Sequence, residues 1–578
     1  MKRVLAIFYV VLLISCAQQT NPTGGPKDEE APVLIESNPK NGSVNFKGNQ
    51  IELTFSEPIQ LMGVKEQLII SPNIKETETS FIRNKVVLKL KSPLKDSTTY
   101  TINFREAVQD LTEKNIAKDV KLAISTGSYL DSLKISGKVY ELPSGKPMKD
   151  VTIALHYQND TFNIFKHRAE IVTKADENGE FIIENLKSTN YYLYAFQDKN
   201  KNLIVDGRNE KYGFLTRKFT LIDNEENIDV PLVSLDSRTI KLISAKPFQN
   251  YFYVKANKGI ANYSISFTDS LKTISQIGED KASIKVYKNF TMADSIQARF
   301  IIQDSLSNRI DTTLYVKFNA PNRDMRLDKF TSTLEQVILM KANNQLSASI
   351  KFNKPLKHIN FDSIYFSVDS LTRYSITAQD VKLDSLKQVI NISKILPVSE
   401  NSTAEQSATK EKGDSRAKEL ASQTKKVSTV NELIIGRSAL ISIDNDSSAR
   451  LNNKPKILRE EDLAITIIES NSKSINYFIE LLDSKGNIVQ TIHNQSKVSF
   501  LNIEPGEYSV RLVEDVNNNR KWDAGNYFRS EEPEPIFYYY DDKGVPKFNI
   551  KANWEYGPLL INTEKGVNNL STTDEKND

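Results

Sequence analysis

The residues best suited to chemistry are two short runs of oxygen-bearing side chains. Asp198, Asn200, Asn202 and Asp206 follow the spacing D-x-N-x-N-x-x-x-D, and Asp515, Asn517, Asn519 and Asp523 repeat it at an offset of 317 residues. Oxygen ligands on alternate residues converge when the backbone curls, and a hard cation such as Ca²⁺ takes about six to eight of them. The backbone carbonyls of Ile204 and Lys521 stand where a main-chain ligand belongs. Each run carries only two carboxylates beside Lys199 and Lys201, or beside Arg520 and Lys521. That balance predicts weak calcium affinity, of the millimolar extracellular kind. The same residues also suit a turn in which Asp and Asn cap their own backbone. Both readings stay open, and calcium is the one cofactor the sequence suggests.

The runs are similar to calcium loops of the EF-hand type, with departures. Position six holds Leu203 and Arg520 instead of Gly, position twelve holds Asn209 and Asn526 instead of Glu, and no amphipathic helix flanks either run. No catalytic residue is assigned. His156, His167, His358 and His493 are scattered, and neither H-E-x-x-H, G-x-S-x-G nor a glycine-rich phosphate loop occurs. The enzymatic alternative left open is a hydrolase whose paired carboxylates are distant in sequence. Tyr538-Tyr539-Tyr540 and Trp554-Glu555-Tyr556 are aromatic clusters that would suit carbohydrate stacking or a partner surface. Neighbouring strand residues face opposite ways, so at least one of the three tyrosines is expected to be exposed.

The elements that must position these residues read as strands. The chain has 578 residues, 39% hydrophobic and 26% charged, which excludes wholesale disorder and predicts several domains. A net charge of +3 without a basic stripe argues against nucleic-acid binding. Over 31–127, runs such as Ile51-Glu52-Leu53-Thr54-Phe55 and Thr99-Tyr100-Thr101-Ile102-Asn103-Phe104 alternate with period two, which predicts a β-sandwich. With Ser37-Asn38-Pro39-Lys40-Asn41-Gly42 and Leu53-Thr54-Phe55-Ser56-Glu57-Pro58-Ile59, this region resembles the bacterial Ig-like domain of S-layer type. The resemblance implies a fold and a surface-module habit, not a reaction.

Over 131–235, Ile135-Ser136-Gly137-Lys138-Val139-Tyr140, Asp176-Glu177-Asn178-Gly179-Glu180-Phe181 and Tyr191-Tyr192-Leu193-Tyr194-Ala195-Phe196 resemble the prealbumin-like regulatory domain found beside carboxypeptidases. That family implies a small sandwich without catalytic residues. A related unit is expected over 474–550, because the 317-residue offset also brings Tyr191 onto Tyr508, Leu193 onto Val510 and Asn185 onto Asn502. Residues 236–320 read as a further strand-rich domain. Residues 325–470 read as a degenerate Ig-like domain, since Ala348 to Leu356 echoes Ile51 to Ile59 at an offset of 297. Its stretch 399–428 lacks aromatics and is expected to be a disordered insertion. Residues 551–578 read as a C-terminal extension and tail. The fold class is all-β, a tandem array of Ig-like and prealbumin-like sandwiches behind an N-terminal tether.

That tether begins with a signal. Met1-Lys2-Arg3 precedes the apolar run Val4 to Ile14, too short to span a bilayer, so 1–15 reads as a signal peptide. Leu13-Ile14-Ser15-Cys16 resembles the bacterial lipobox, which implies cleavage before Cys16, a diacylglycerol on its sulfur and an acyl chain such as palmitate on its amine. Several chains at about 0.8 kcal/mol per methylene hold a protein firmly at a membrane. Residues 16–30 form the lipidated tether, and Lys27-Asp28-Glu29-Glu30 looks like the acidic surface-export signals of Bacteroidota lipoproteins. The whole-chain plan resembles Ig-like lipoproteins of the Bacteroidota. The resemblance implies a non-enzymatic, outer-membrane, lipid-anchored protein, at the cell surface rather than the periplasmic face. Its partners would be the membrane and other envelope proteins, including the β-barrel assembly machinery. A surface module that binds a glycan or host ligand is the alternative of another class.

Overall fold

The computed structural model describes residues 28–142, 144–159, 161–217, 219–268, 273–289, 294–320, 329–369, 371–384, 388–397 and 431–563. Cys16, the signal segment, most of the tether, the insertion 399–428 and the tail beyond 563 lie outside the described residues. The fold is all-β, with strands throughout and only short helical turns. Among the described residues, no helix is long and apolar enough to cross a membrane.

The chain divides into two compact units. The first comprises Met1–Glu141, Lys146–Asp206 and Glu210–Leu232. It opens with a sandwich whose larger sheet orders Leu34–Asn38, Gln50–Phe55, Lys85–Leu90 and Thr77–Ile82 side by side. Alternation decides the inner face: in Gln50–Phe55 the residues Ile51, Leu53 and Phe55 are buried while their neighbours are not. Each such side chain contributes about 1.5 to 3 kcal/mol on leaving water. The opposing sheet orders Ile69–Ser71, Thr99–Asn103 and Lys121–Ser125. Asp28 and Glu30 do not hang free as tether: their carbonyls accept the Asn115 side-chain amide at 2.9 and 3.1 Å.

The second sandwich of this unit has one sheet in which Leu133–Glu141 pairs antiparallel with Glu180–Leu186 and parallel with Glu225–Leu232. Its other sheet orders Ile171–Lys174, Thr152–Tyr157, Asn190–Phe196 and Tyr212–Phe214. The two sandwiches are hydrogen-bonded to each other. Asn73 N–H donates to the Glu170 carbonyl at 2.7 Å, Val172 N–H to Ser71 Oγ at 3.1 Å, and Asn185 Nδ2 to Thr101 Oγ1 at 2.8 Å.

The second unit comprises Leu142–Gly145, Gly207–Asn209 and Val233–Asp578. Its first sandwich packs the sheet holding Tyr251–Ala256 and Ser283–Tyr287 against the sheet holding Ile296–Gln303. The buried Lys258 ammonium lies 2.7 Å from Asp304 and donates to the Arg238 carbonyl at 3.0 Å, which pins the chain entering this module. The next sandwich repeats the Ig-like strand order. Ser332–Leu334, Gln345–Phe352, Val389–Ile395 and Val381–Leu383 stand in the same sequence as the four strands of the first sheet. Short strands Leu356–Ile359 and Leu440–Ser442 pair as Ile59–Leu61 and Val108–Asp110 do.

The last sandwich is larger than the 474–550 expected for it. Ala464–Ser470 pairs antiparallel with Lys497–Ile503 and parallel with Glu555–Ile561. Ile468, Leu559 and Ile561 sit in its core. Residues 464–470 therefore belong here and not to the preceding domain, and 555–561 is a core strand and not an extension. The reason is that a sandwich with one half-open sheet would leave Val498, Phe500 and Val510 facing water.

Candidate functional site

The two Asp/Asn runs follow equivalent strands, Asn190–Phe196 and Gly506–Glu514, and fold into loops that match atom by atom. In the first loop Asp198 Oδ1 accepts Asn202 N–H at 3.0 Å, and Oδ2 accepts Leu203 N–H at 3.0 Å. Asn202 Oδ1 accepts Ile204 N–H at 2.7 Å. In the second loop Asp515 accepts Asn519 and Arg520 N–H at 2.9 and 2.8 Å, and Asn519 Oδ1 accepts Lys521 N–H at 2.8 Å. Asn200 and Asn517 each accept a further N–H, from Asn202 and Asn519, at 3.1 Å. Lys201 and Leu203 have φ of 59°, and Asn518 and Arg520 have φ of 56° and 63°. Left-handed backbone at non-glycine residues is costly, and the inward carboxylate hydrogen bonds hold it in place.

Beneath each loop stands a glutamate that the motif does not contain. Glu210, 3% exposed, accepts Lys199 N–H on Oε1 and Asp206 N–H on Oε2, both at 2.8 Å. Glu534, 5% exposed, accepts Val516 N–H at 2.8 Å and Asp523 N–H at 3.0 Å. These are the same two loop positions, each preceded or closed by the motif Asp. Burial pushes both carboxyls above the ordinary glutamate range, against the backbone N–H groups that favour their ionised form. The loop interior thus presents amide protons to carboxylates, the arrangement of a self-capped turn. A cation entering there would compete with those protons for the same oxygens. Asp523 additionally accepts both Asn517 Nδ2 and Asn519 Nδ2 at 2.6 Å. Among the described residues no three His, Cys, Asp or Glu converge as a metal set.

The repeat extends below the loops. Tyr191 donates its hydroxyl to the Lys187 carbonyl at 2.9 Å, and Tyr508 donates to the Glu504 carbonyl at 2.8 Å. Burial raises the pKa of both phenols. Asn185 and Asn502 share φ near 58° and 59°. Asn526, which is only 4% exposed, caps the turn Tyr527–Arg529 and donates to the Leu306 carbonyl at 3.1 Å.

Other residues singled out by type fall elsewhere. His156 and His167 are not scattered: both stack on Phe162, with centroids 4.0 and 5.9 Å away. Asn163 N–H donates to His167 Nδ1 at 2.9 Å, so that ring is tied to its own loop. His358 and His493 lie on separate strands. None of Tyr538, Tyr539 and Tyr540 is exposed, contrary to expectation. Tyr539 packs into the core, while Tyr538 and Tyr540 turn the other way and meet Gly145, so Tyr540 is pushed up to about 12 by burial. Gly145 is far away from them in sequence. Trp554 is half exposed beneath the Lys551 ammonium, 4.9 Å from its ring.

Residues 28–126 match the model of the bacterial Ig-like domain. The chain therefore contains a bacterial Ig-like domain within a tandem of β-sandwiches. No curated protein matches it. Among solved structures, the Bacillus anthracis TIE protein is 9% identical over 97% of this chain and 79% of its own, at a TM-score of 0.12. The Bacillus cereus major pilin subunit BcpA is 9% identical over 75% of this chain and 99% of its own, at 0.12. A DUF3823 family protein from Bacteroides ovatus is 12% identical over 32% of this chain and 100% of its own, also at 0.12. At such TM-scores these likenesses carry no argument about this chain.

Proposed function

We propose that this protein is a non-enzymatic lipoprotein of the bacterial outer membrane, anchored through Cys16, that serves as a scaffold or accessory subunit of a cell-envelope assembly. The observation that carries the reading is the firmness of its joints. The Ig-like module is hydrogen-bonded to its neighbour through Asn73, Ser71 and Thr101. In the other unit, Asn526 and Lys258 tie modules and their entering chain with buried polar contacts. Within each unit such joints hold neighbouring surfaces in a set register, which suits a scaffold better than loosely linked domains do. The motif Leu13-Ile14-Ser15-Cys16 supplies the anchor, and anchoring raises the effective concentration beside a membrane partner. The β-barrel assembly machinery is the partner class this reading favours, with the folded body at the cell surface.

The test is affinity capture of the tagged protein from detergent-solubilised envelope, paired with protease shaving of intact cells. Stoichiometric recovery of a β-barrel protein and digestion from outside are expected. Capture of the protein alone, at native abundance and in mild detergent, contradicts the scaffold role. Resistance to shaving contradicts the surface location.

A further inference from the structure

The second unit contains a cleft of about 790 Å³ between its first sandwich and the Ig-like sandwich that follows. We infer that this cleft binds an acidic oligosaccharide of the uronic-acid type. The inference is independent of the anchor and of any envelope partner.

The walls are sheet faces. Tyr251–Ala256 and Ser283–Tyr287 are paired on both sides, as is Gln345–Phe352 opposite them. These central strands therefore present side chains, not backbone, to the cleft. What they present is hydroxyl, amide and ammonium. Tyr251 and Tyr253 line one wall, and Phe248 stacks on Tyr251 at 4.8 Å, which holds the tyrosine wall rigid before any ligand arrives. Gln276, 4% exposed, has its carbonyl oxygen taken by the Tyr287 hydroxyl at 2.9 Å, which leaves its N–H groups as donors. Thr331 and Thr333 add hydroxyls from the opposite wall.

Charge selects the sugar class. Lys354 is committed to Asp444 and Asp446, each at 2.8 Å, and Lys351 to Glu335 at 2.6 Å. Asp280 faces Ser283 Oγ at 2.7 Å and Lys255 at 3.6 Å. Among the described residues lining the cleft, Lys285 and Lys329 have no carboxylate partner, against one such acid, Glu279. Lys285 sits 4.8 Å from the centre of the Tyr251 ring, so its ammonium is placed beside an aromatic face. An ammonium next to a rigid ring and an amide donor suits a pyranose that carries a carboxylate. The two modules are also bridged at this cleft, by Gln388 Nε2 to the Ile277 carbonyl at 2.8 Å and Asn250 Nδ2 to Asp444 at 2.9 Å, so its shape is held.

Titration calorimetry of the detergent-solubilised full mature chain tests this with tetragalacturonate, cellotetraose and tetraglutamate as probes. Tetragalacturonate is expected to bind, with cellotetraose about tenfold or more weaker. K285Q/K329Q should weaken tetragalacturonate by about tenfold or more without lowering the melting temperature. Gln276→Glu, which sets a carboxylate against the ligand and keeps the side-chain size, should weaken it as well. Absence of binding by the wild type overturns the inference. So does equal or tighter binding of tetraglutamate, or tetragalacturonate binding that both variants leave unchanged.

Discussion

The two copies of the repeated sandwich share a frame and differ in how they cover it. In the first copy the strand Thr152–Tyr157 sets Ala154 opposite Tyr194, and the sheet face outside the core is aromatic, with Tyr194 near Phe196 and Phe162. In the second copy Glu480 stands opposite Arg511, 2.7 Å apart, and both side chains are largely buried. One fold tolerates a stack of rings or an ion pair at the same place, so that face is under no common chemical demand. The loops teach the reverse. Glu210 follows the last motif Asp closely, whereas Glu534 arrives after an inserted turn, Tyr527–Arg529, yet the two carboxylates accept the same pair of loop N–H groups. Different stretches of chain converge on one brace, which identifies the braced loop as the constrained feature.

Breaking that comparison is most direct at the ion pair. Arg511→Ala leaves Glu480 buried and unpaired, and should cost about 3 to 5 kcal/mol in denaturant unfolding of the last module; the double change to Leu at Glu480 and Met at Arg511 should recover most of it. Glu210→Ala and Glu534→Ala each remove two partly buried hydrogen bonds from loop N–H groups, with an expected loss of about 1 to 3 kcal/mol apiece, read by hydrogen exchange of the two loops. A large loss in one copy and none in the other would refute a shared brace. Tyr191→Phe and Tyr508→Phe remove one matched hydrogen bond each and should cost about 1 kcal/mol in either copy.

The two glutamates also predict a pH dependence. Their folded pKa lies above the ordinary 4.5, so the folded state binds these protons more tightly. The proton-linked part of their stability is present below 4.5 and is lost as pH rises through the raised folded value. In E210Q/E534Q that decline should vanish from the melting profile. Calcium is the smallest effect. With millimolar affinity, calcium at a concentration equal to its Kd adds only about 0.4 kcal/mol per loop, and Asp198→Ala with Asp515→Ala should abolish the accompanying rise in melting temperature. An unchanged melting temperature in the wild type assigns the loops to backbone capping alone.

Much of this was legible in the chain. The repeat with Tyr191 on Tyr508, the echo of Ile51 to Ile59 in Ala348 to Leu356, and the strand alternation of the Ig-like module all correspond to matched topology. What escaped was non-local. Glu210 and Glu534 occupy unequal positions along their repeats, so no fixed spacing reveals them. The parallel pairing of Ala464–Ser470 with Glu555–Ile561 joins segments that look like the end of one domain and a tail. The half-burial of Tyr538 and Tyr540 is non-local in the same way, because they meet Gly145, far away in sequence.

The account of function turns on Cys16. Intact mass spectrometry of the mature protein extracted from membranes measures its first residue and its modification together. The account predicts a chain beginning at Cys16 that carries diacylglycerol and an amide-linked acyl group. A free thiol at Cys16, or a mature chain found wholly in the aqueous fraction, contradicts it.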